Sequence, residues 1–238
     1  SRRFAGTGHE QIDNVKITTD GVVVAGDFDS PSLVVDEQGG QSLANAGVSD
    51  MFLVKYDRMT DAFLWSLDLG GAGAEGPVNG QSMDADFVSG DIYVAGSTAT
   101  TGLQIGNLAA LPNGANVFFT RISAAGVPQW VKGFNIPGFN VFVAASSFGP
   151  YLVAVAAQGI DLGSGVLPFV DQNEIYIAHY DQGGTLLWVK ASTAMGSEGI
   201  VMSLRPASGG SGTIGIVIFV VAPFAFSSRV IDAGEPPS

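Results

Sequence analysis

Apolar and polar residues alternate along the chain in short runs, the pattern of β-strands. Three of these runs share one form, with apolar residues around a central polar position; they are residues 51–57, 117–123 and 175–181. The alternation puts Lys55, Arg121 and His179 at equivalent positions. None of the periodic stretches sustains a helical period beyond a turn or two, so the pattern predicts strands connected by turns.

Each of these runs is followed by one of the three tryptophans in the chain. Trp65, Trp130 and Trp188 have similar neighbours and are 65 and 58 residues apart. A glycine-rich turn follows each tryptophan, and a further apolar run comes after it, as in residues 21–26 and 91–96. This internal period predicts repeat units that start near residues 8, 73, 138 and 196.

The strands number four in each complete unit: a short first strand, an apolar strand, the strand with the central polar residue, and the tryptophan strand. Four antiparallel strands per repeat predict an all-β fold, a β-propeller of about four blades. One such sheet cannot bury its two apolar faces alone, so neighbouring sheets must stack. Residues 1–238 are therefore interpreted as a single repeat region, which could also belong to a larger propeller.

Both ends of the chain fall inside repeat units. Residues 2–6 are typical of the close of a preceding unit, and the fourth unit is expected to stop before its third strand and its tryptophan strand. The apolar run 214–226 is interpreted as one buried strand. Either the N-terminal strand completes the last blade, as in propellers that close their ring, or the chain is part of a longer protein.

The repeat resembles a bacterial-type propeller repeat often called SBBP. The resemblance rests on "GVVVAGDFDS", on "DMFLVKYDRMTDAFLWSLDLGGAGAEG" and on their counterparts in the later units. It is strongest over residues 21–75 and weaker in the fourth unit. Departures include Glu or Asn where the family has Asp after the glycine-rich turn. The resemblance implies a propeller on secreted or surface-exposed proteins, with no catalytic residues to carry over.

Composition restricts the classes of partner. The net charge is −12, from 22 acidic and 10 basic residues, and the chain has no basic stripe, which argues against nucleic-acid binding. The same charge disfavours attraction to an anionic membrane surface. The run 214–226 is too short and too β-branched for a membrane helix, so direct membrane insertion is not expected. There is no cysteine, which excludes disulfides and thiolate chemistry.

Candidate catalytic residues are few. The two histidines, His9 and His179, fall at different repeat positions, and no Gly-x-Ser-x-Gly motif occurs where a strand leads into a helix. The tryptophans recur at one position of every unit, which favours a shared core role over stacking on a sugar. The sequence therefore predicts no catalytic residue and no enzyme activity.

Acidic pairs and glycine-rich turns are the candidates for metal or cofactor sites. Asp27 with Asp29, and Asp84 with Asp86, each place two carboxylates on one side of a strand, but neither has the remaining ligands of a calcium loop. Glycine-rich residues 70–73 and 209–212 lack the lysine of a phosphate loop. We expect no metal and no cofactor. The acidic residues that recur at unit turns are expected to accept backbone N–H bonds there; they are Asp57, Asp181, Glu10, Glu75 and Glu198.

Scarce charge and abundant aliphatic residues suggest a surface partly covered by a neighbour. The sequence therefore favours a non-catalytic structural or protein-interaction module, extracellular or at the cell surface, that binds a protein partner or copies of itself. The alternative is a ligand-binding, glycan-binding or enzymatic propeller whose site lies at the central channel, with residues from several blades.

Overall fold

A computed structural model describes residues 3–78, 81–138, 140–167, 169, 174–191, 199–206, 214–222 and 225–232, the last three ranges as strand backbone. These residues form eighteen strands, and every strand pair is antiparallel. The fold is all-β, as predicted. The described part of the chain includes no helix that could cross a membrane.

The strands, numbered in chain order, make four main sheets and one separate hairpin. Sheet 1 has the order β1 (Glu10–Ile17), β2 (Gly21–Phe28), β5 (Asp50–Asp57), β6 (Phe63–Leu69), and the separate hairpin between its second and third strands is β3 (Ser32–Asp36) with β4 (Gln41–Ala44). In sheet 2, β7 (Glu75–Pro77) and β8 (Met83–Ala85) both pair with β9 (Ile92–Thr98), followed by β10 (Val117–Ile122) and β11 (Pro128–Phe134). Sheet 3 has the order β12 (Asn140–Ala144), β13 (Tyr151–Ala156), β14 (Glu174–Tyr180), β15 (Leu186–Ala191), and sheet 4 the order β16 (Gly199–Pro206), β17 (Ile214–Ala222), β18 (Ala225–Asp232).

The predicted equivalence of the tryptophans and their polar partners is confirmed by the strand register. In sheets 1, 2 and 3 the tryptophan lies on the last strand, directly opposite the central polar residue of the strand before it. The three pairs are Lys55 with Trp65, Arg121 with Trp130 and His179 with Trp188. A β-bulge adjoins the tryptophan in every case, so even an irregularity of the strand is repeated.

Two expectations for the ends of the chain are wrong. The fourth unit does have a third strand, because β18 pairs with β17 along its whole length. The apolar run 214–226 is divided between these two strands, since β17 ends at Ala222 and β18 begins at Ala225. The N-terminal segment does not extend sheet 4: Ala5 forms a bridge with Val34 of β3.

Buried side chains form layers between the stacked sheets. Alternation in β10 sends Phe118 into the layer shared with sheet 1 and Phe119 into the layer shared with sheet 3. A third group of buried side chains lies on the other face of sheet 3; it includes Val153 and Ile177, and the partly buried Trp188 packs against it. The two middle sheets are therefore buried on both faces, which explains their near-continuous apolar strands.

The remaining face of sheet 1 is covered by the β3–β4 hairpin. Leu33 and Val35 of the hairpin pack on Phe52 and on the other buried side chains of this face, and the Tyr56 hydroxyl donates to the Val35 carbonyl. The ring of Phe4 adds to this layer, 5.4 Å from Phe52 between centroids. A segment of the same unit thus occupies the face that another sheet would need for packing on sheet 1.

The turns of neighbouring sheets gather at one end of the stack. In an antiparallel sheet whose strands follow chain order, the turn between the first two strands and the turn between the last two lie at the same end. We call this the hairpin end; it consists of residues 18–20, 57–62, 86–91, 123–127, 145–150 and 181–185. The longer connections, such as residues 99–116 and 157–167, lie at the opposite end.

Candidate functional site

The junction between sheets 1 and 2 is made by Trp65 and Lys55. The Trp65 indole N–H donates to the carbonyl oxygen of Ala124, in the last turn of sheet 2, at 3.0 Å. The Lys55 ammonium donates to the same oxygen at 3.1 Å and to both carboxylate oxygens of Asp20 at 2.9 Å. Lys55 is fully buried, so this ion pair and hydrogen bond satisfy a charge that water does not reach.

The junction between sheets 2 and 3 repeats this arrangement with different side chains. Trp130 donates to the carbonyl oxygen of Gln182 at 3.0 Å, and Arg121 Nη1 donates to the same oxygen at 2.5 Å. Arg121 Nη2 pairs with Asp91 at 2.7 Å. Gln182 occupies the same place in its turn as Ala124, four residues before the first residue of the tryptophan strand. At both of these junctions the indole and the basic side chain therefore bind one carbonyl of the following sheet.

A glycine is needed beside each of these carbonyls. Gly126 and Gly184 have φ angles of 80° and 84°, in the left-handed region that other residues avoid. A Cβ atom at either position would come within 2.6 Å or 2.9 Å of the indole Cδ2 of Trp65 or Trp130. The left-handed φ angle of the turn and the close approach of the indole ring therefore both require glycine at these positions.

Sheet 3 presents the same pair of side chains without the same partners. The His179 ring stacks on Tyr151, with centroids 4.1 Å apart, and contacts Trp188. His179 is only 8% exposed, yet its Nε2 atom has no hydrogen-bond partner among the described residues. Burial lowers the pKa of His179, although the negative charge of Asp181 acts in the opposite direction. The lowered pKa favours the neutral imidazole.

Three carboxyl groups lie together near the opposite end of sheets 1 and 2. Burial, followed by the negative charges of Asp50 and Glu75, raises the pKa of Asp68 to about 7. Burial also raises the pKa of Asp50, which is hydrogen-bonded to Asp68 and accepts the Ala46 N–H at 2.6 Å. Burial and the neighbouring negative charges therefore favour the protonated form of Asp68. No sequence motif links these two residues, which is why sequence reasoning missed them.

Glu75, the third carboxylate, shows the role predicted for acidic residues at unit turns. It accepts the backbone N–H of Gly71 at 2.7 Å and of Thr100 at 3.1 Å. Asp57 and Asp181 also accept backbone N–H groups of their own turns, as predicted. Glu10 instead accepts from the Ser30 hydroxyl, and Glu198 lies outside the described residues.

The remaining sequence candidates do not converge on one another. The backbone N–H of His9 donates to Asp29 at 2.6 Å, in sheet 1, whereas His179 lies in sheet 3. Asp84 pairs with Lys16 at 3.0 Å and accepts the N–H of Ala145 at 2.8 Å, which connects three sheets.

The other acidic candidates and the glycine-rich segments are also placed separately. Asp86 accepts the N–H of Val88 inside its own turn, at 2.9 Å. Burial raises the pKa of Asp27, followed by the charge of Asp13. Residues 70–73 form a glycine-rich turn in which the Gly71 N–H donates a hydrogen bond to Glu75. Residues 209–212 lie outside the described part of the chain. Within the described ranges, no three His, Asp or Glu side chains are grouped so as to hold a metal ion.

An open cavity of about 460 Å³ lies beside the outer strand of sheet 2. Trp130, Lys132 and Phe134 line it together with the connection around Leu111. The Trp130 indole N–H is already bonded to Gln182, and burial lowers the pKa of Lys132. The cavity lies on the outside of the stack, away from the inner strands β1, β8 and β12, which lie side by side.

The hairpin end exposes large apolar side chains from all three of the sheets whose side chains are described. Met59 and Val88 are 82% and 79% exposed, and Phe87, Val127 and Phe148 are also more than half exposed. Two of the turns that carry them are bonded to a neighbouring turn: the Thr19 N–H donates to the Phe87 carbonyl, and the Gln182 amide donates to the Ser147 carbonyl. The hairpin end therefore exposes apolar side chains on the turns of three sheets.

Comparison with models of known protein families found no match to this chain, and comparison with curated proteins found no match either.

Proposed function

We propose that this chain is a non-catalytic module of β-propeller blades, with the SBBP-type repeat that its sequence resembles, and that it binds another protein or another copy of itself. The module acts outside the cell or at its surface, in keeping with that resemblance. Its binding surface is the hairpin end.

The blade assignment is supported by the way the sheets repeat. Each of sheets 1, 2 and 3 has four strand positions in chain order; sheet 1 stacks on sheet 2, and sheet 2 stacks on sheet 3. Propeller blades are built in this manner, around inner strands that lie close to one another. The covering of sheet 1 by its own hairpin further supports an array in which that sheet is the outermost blade of the described stack.

The exposed apolar side chains at the hairpin end carry the proposal for binding. Isolated apolar residues on a surface are ordinary, but a contiguous group contributed by several sheets is typical of a protein interface. Five large apolar side chains at this end are more than half exposed, compared with two, Val48 and Val166, in the connections at the opposite end. A partner that covers the hairpin end would remove this apolar surface from water.

A non-catalytic role fits the state of the ionisable groups. Lys55 and Arg121 are bonded to Asp20, to Asp91 and to backbone carbonyls, and Asp50 is fully buried. A general acid or base must reach the proton that it transfers. These groups stabilise the stack instead.

Photo-crosslinking in the organism that produces the protein tests this function. A photoreactive residue replaces Val88 in one variant and Val166 in a control, because both valines are nearly equally exposed, at 79% and 77%, but lie at opposite ends. We expect a discrete protein adduct from position 88 that disappears when Phe148→Asp is added. Equal adducts from both positions, or none from position 88, would contradict the proposal.

A further inference from the structure

The β3–β4 hairpin leaves part of the outer face of sheet 1 uncovered. It packs on the buried side chains that β2 and β5 present on this face. Along β1, however, Ile12, Val15 and Ile17 are each more than half exposed. The register with β2 places all three on the face of Val24, which is the face that the hairpin covers elsewhere. We call these three side chains the β1 stripe.

The equivalent positions in the next two sheets are buried. Counted from the central polar residues, the strand register gives Met83 of β8 and Val143 of β12 the position that Val15 has in β1. Met83 is fully buried in the layer shared with sheet 1, and Val143 is fully buried in the layer shared with sheet 2. In both cases the preceding sheet provides the cover, and Val15 is the one of the three that lacks it.

The backbone of β1 is also open at this position. The Thr18 N–H closes the turn to β2, so the alternation of antiparallel pairs directs the N–H and C=O groups of Val15 and Ile17 away from β2. In sheet 3, Val143 uses the equivalent groups: its N–H donates to the Gln81 carbonyl at 2.8 Å, and its carbonyl accepts from the Gln81 side-chain amide at 2.9 Å. No described residue outside sheet 1 bonds to the backbone of Val15 in this way.

The size of the opening limits what can occupy it. The hairpin already covers the outer strands of this face, so a whole sheet cannot stack on it as sheet 1 stacks on sheet 2. Three half-exposed side chains also offer far less surface than the roughly 800 Å² per partner that a standard interface buries. A single extended segment fits better, because strand addition takes its affinity from main-chain hydrogen bonds and its specificity from alternate side chains.

We propose that the β1 stripe and the open edge of β1 bind an extended segment of another protein. The backbone of this segment pairs with the N–H and C=O groups of Val15, as Gln81 pairs with Val143 in sheet 3. Apolar, β-branched residues at its alternate positions cover the β1 stripe and remove it from water. The site shares no residue with the hairpin end, so it goes beyond the function proposed above and does not depend on it.

The charges of β1 set a further condition on the segment. The charged residues of this strand are Glu10, Asp13 and Lys16, and Lys16 is already paired with Asp84 at 3.0 Å. The remaining charges of the strand are therefore negative, as is the net charge of the chain. A neutral or basic segment complements them, whereas an acidic one would be repelled.

Amide hydrogen exchange at single-residue resolution tests this site. The samples are the isolated chain and the protein purified from its natural source with its bound partners. In the isolated chain we expect fast exchange at Val15 and Ile17 at every protein concentration, and slow exchange at Asn14 and Lys16, whose N–H groups point towards β2. In the natural assembly, exchange at Val15 and Ile17 should slow at least tenfold while Asn14 and Lys16 stay unchanged.

Two substitutions of one residue separate strand addition from simple coverage. Val15→Pro removes the N–H that only the bound segment would use, a change that an edge strand tolerates where its N–H points away from the sheet. It should abolish the protection of Ile17 in the assembly. Val15→Thr, the matched control, keeps the N–H and the β-branched shape and should retain that protection. Slow exchange at Asn14 and Lys16 in both variants shows that β1 is still paired.

Four results would overturn the proposal. Slow exchange at Val15 and Ile17 in the isolated monomer would show that this chain covers the edge itself. Protection that develops only as the isolated chain is concentrated would identify a second copy as the occupant. Equal exchange in the isolated chain and in the assembly would show that nothing binds there, and equal protection in Val15→Pro and Val15→Thr would exclude strand addition. Peptides from the hairpin end, measured in the same samples, report on that surface separately.

Discussion

The indole ring of Trp65 lies against the backbone of Gly126, so that a Cβ atom at residue 126 would approach its Cδ2 atom to 2.6 Å. The contact joins the last strand of one sheet to the last turn of the next. Trp130 repeats it on Gly184. The stack is therefore held by the apolar layers between its sheets and also by a specific contact that fixes the register of each sheet on its neighbour.

Replacing Gly126 by alanine should destabilise the protein by on the order of 2–3 kcal/mol, from the left-handed φ and from the steric conflict with Trp65. Gly114→Ala is the matched control, because Gly114 has a similar φ of 86° but a Cβ there would contact nothing within 4 Å. Urea unfolding measures both variants. Equal losses would mean that the ring contact contributes nothing.

Removing Asp20 should lower the free energy of unfolding more than removing its partner Lys55. Asp20→Ala leaves a fully buried ammonium with only the Ala124 carbonyl, and should cost on the order of 3 kcal/mol. Lys55→Met should cost about 1 kcal/mol or less, because it fills the same space and leaves Asp20 half exposed to water. The free energy of unfolding of each variant measures the difference. A larger loss for Lys55→Met would contradict this account of the junction.

The raised pKa of Asp68 should make stability depend on pH. The pKa of Asp68 is raised to about 7 from an ordinary value of 3.8, so between these values the folded state binds more protons than the unfolded state. Stability should therefore rise as the pH falls from about 8 to about 5, by on the order of 1–2 kcal/mol after solvent screening.

Asp68→Asn should remove most of this pH dependence and stabilise the protein at about pH 8, because an amide can donate to Asp50 without a titrating proton. Chemical unfolding over the pH range compares the two proteins. An identical pH profile in wild type and variant would show that Asp68 is not the group responsible.

The hairpin that covers sheet 1 should contribute strongly to stability. Leu33 is fully buried between the hairpin and the sheet, and Leu33→Ala should cost about 2–5 kcal/mol. The control Leu64→Ala, at an exposed bulge position of β6, should change stability by about 0.5 kcal/mol or less. Similar losses in both variants would mean that the hairpin does not protect this face.

The sequence predicted the strands, and which strands of different units are equivalent, because both depend on local patterns of residues. Alternation around Lys55, Arg121 and His179 marked one strand, and each tryptophan marked the next. Strand order within each sheet followed, since consecutive antiparallel strands usually pair.

Long-range contacts were not predictable in the same way. Neither the sharing of one carbonyl by Trp65 and Lys55 nor the pairing of Asp50 with Asp68 leaves a signal in the sequence, because each depends on how separate strands meet. The third strand of the fourth unit was missed because its first apolar residues continue the preceding apolar run. Gly126 and Gly184, five residues after Arg121 and His179, were the signal that could have revealed the junctions.

The central claim, that the hairpin end binds a protein, is tested most directly by hydrogen–deuterium exchange mass spectrometry. The comparison is between the isolated chain and the protein as purified from its natural source with its bound partners. We predict slower exchange of peptides that cover residues 86–91 and 145–150 in the natural assembly, and no change over residues 161–167. Unchanged exchange at 86–91 and 145–150, whatever happens elsewhere, would contradict the claim.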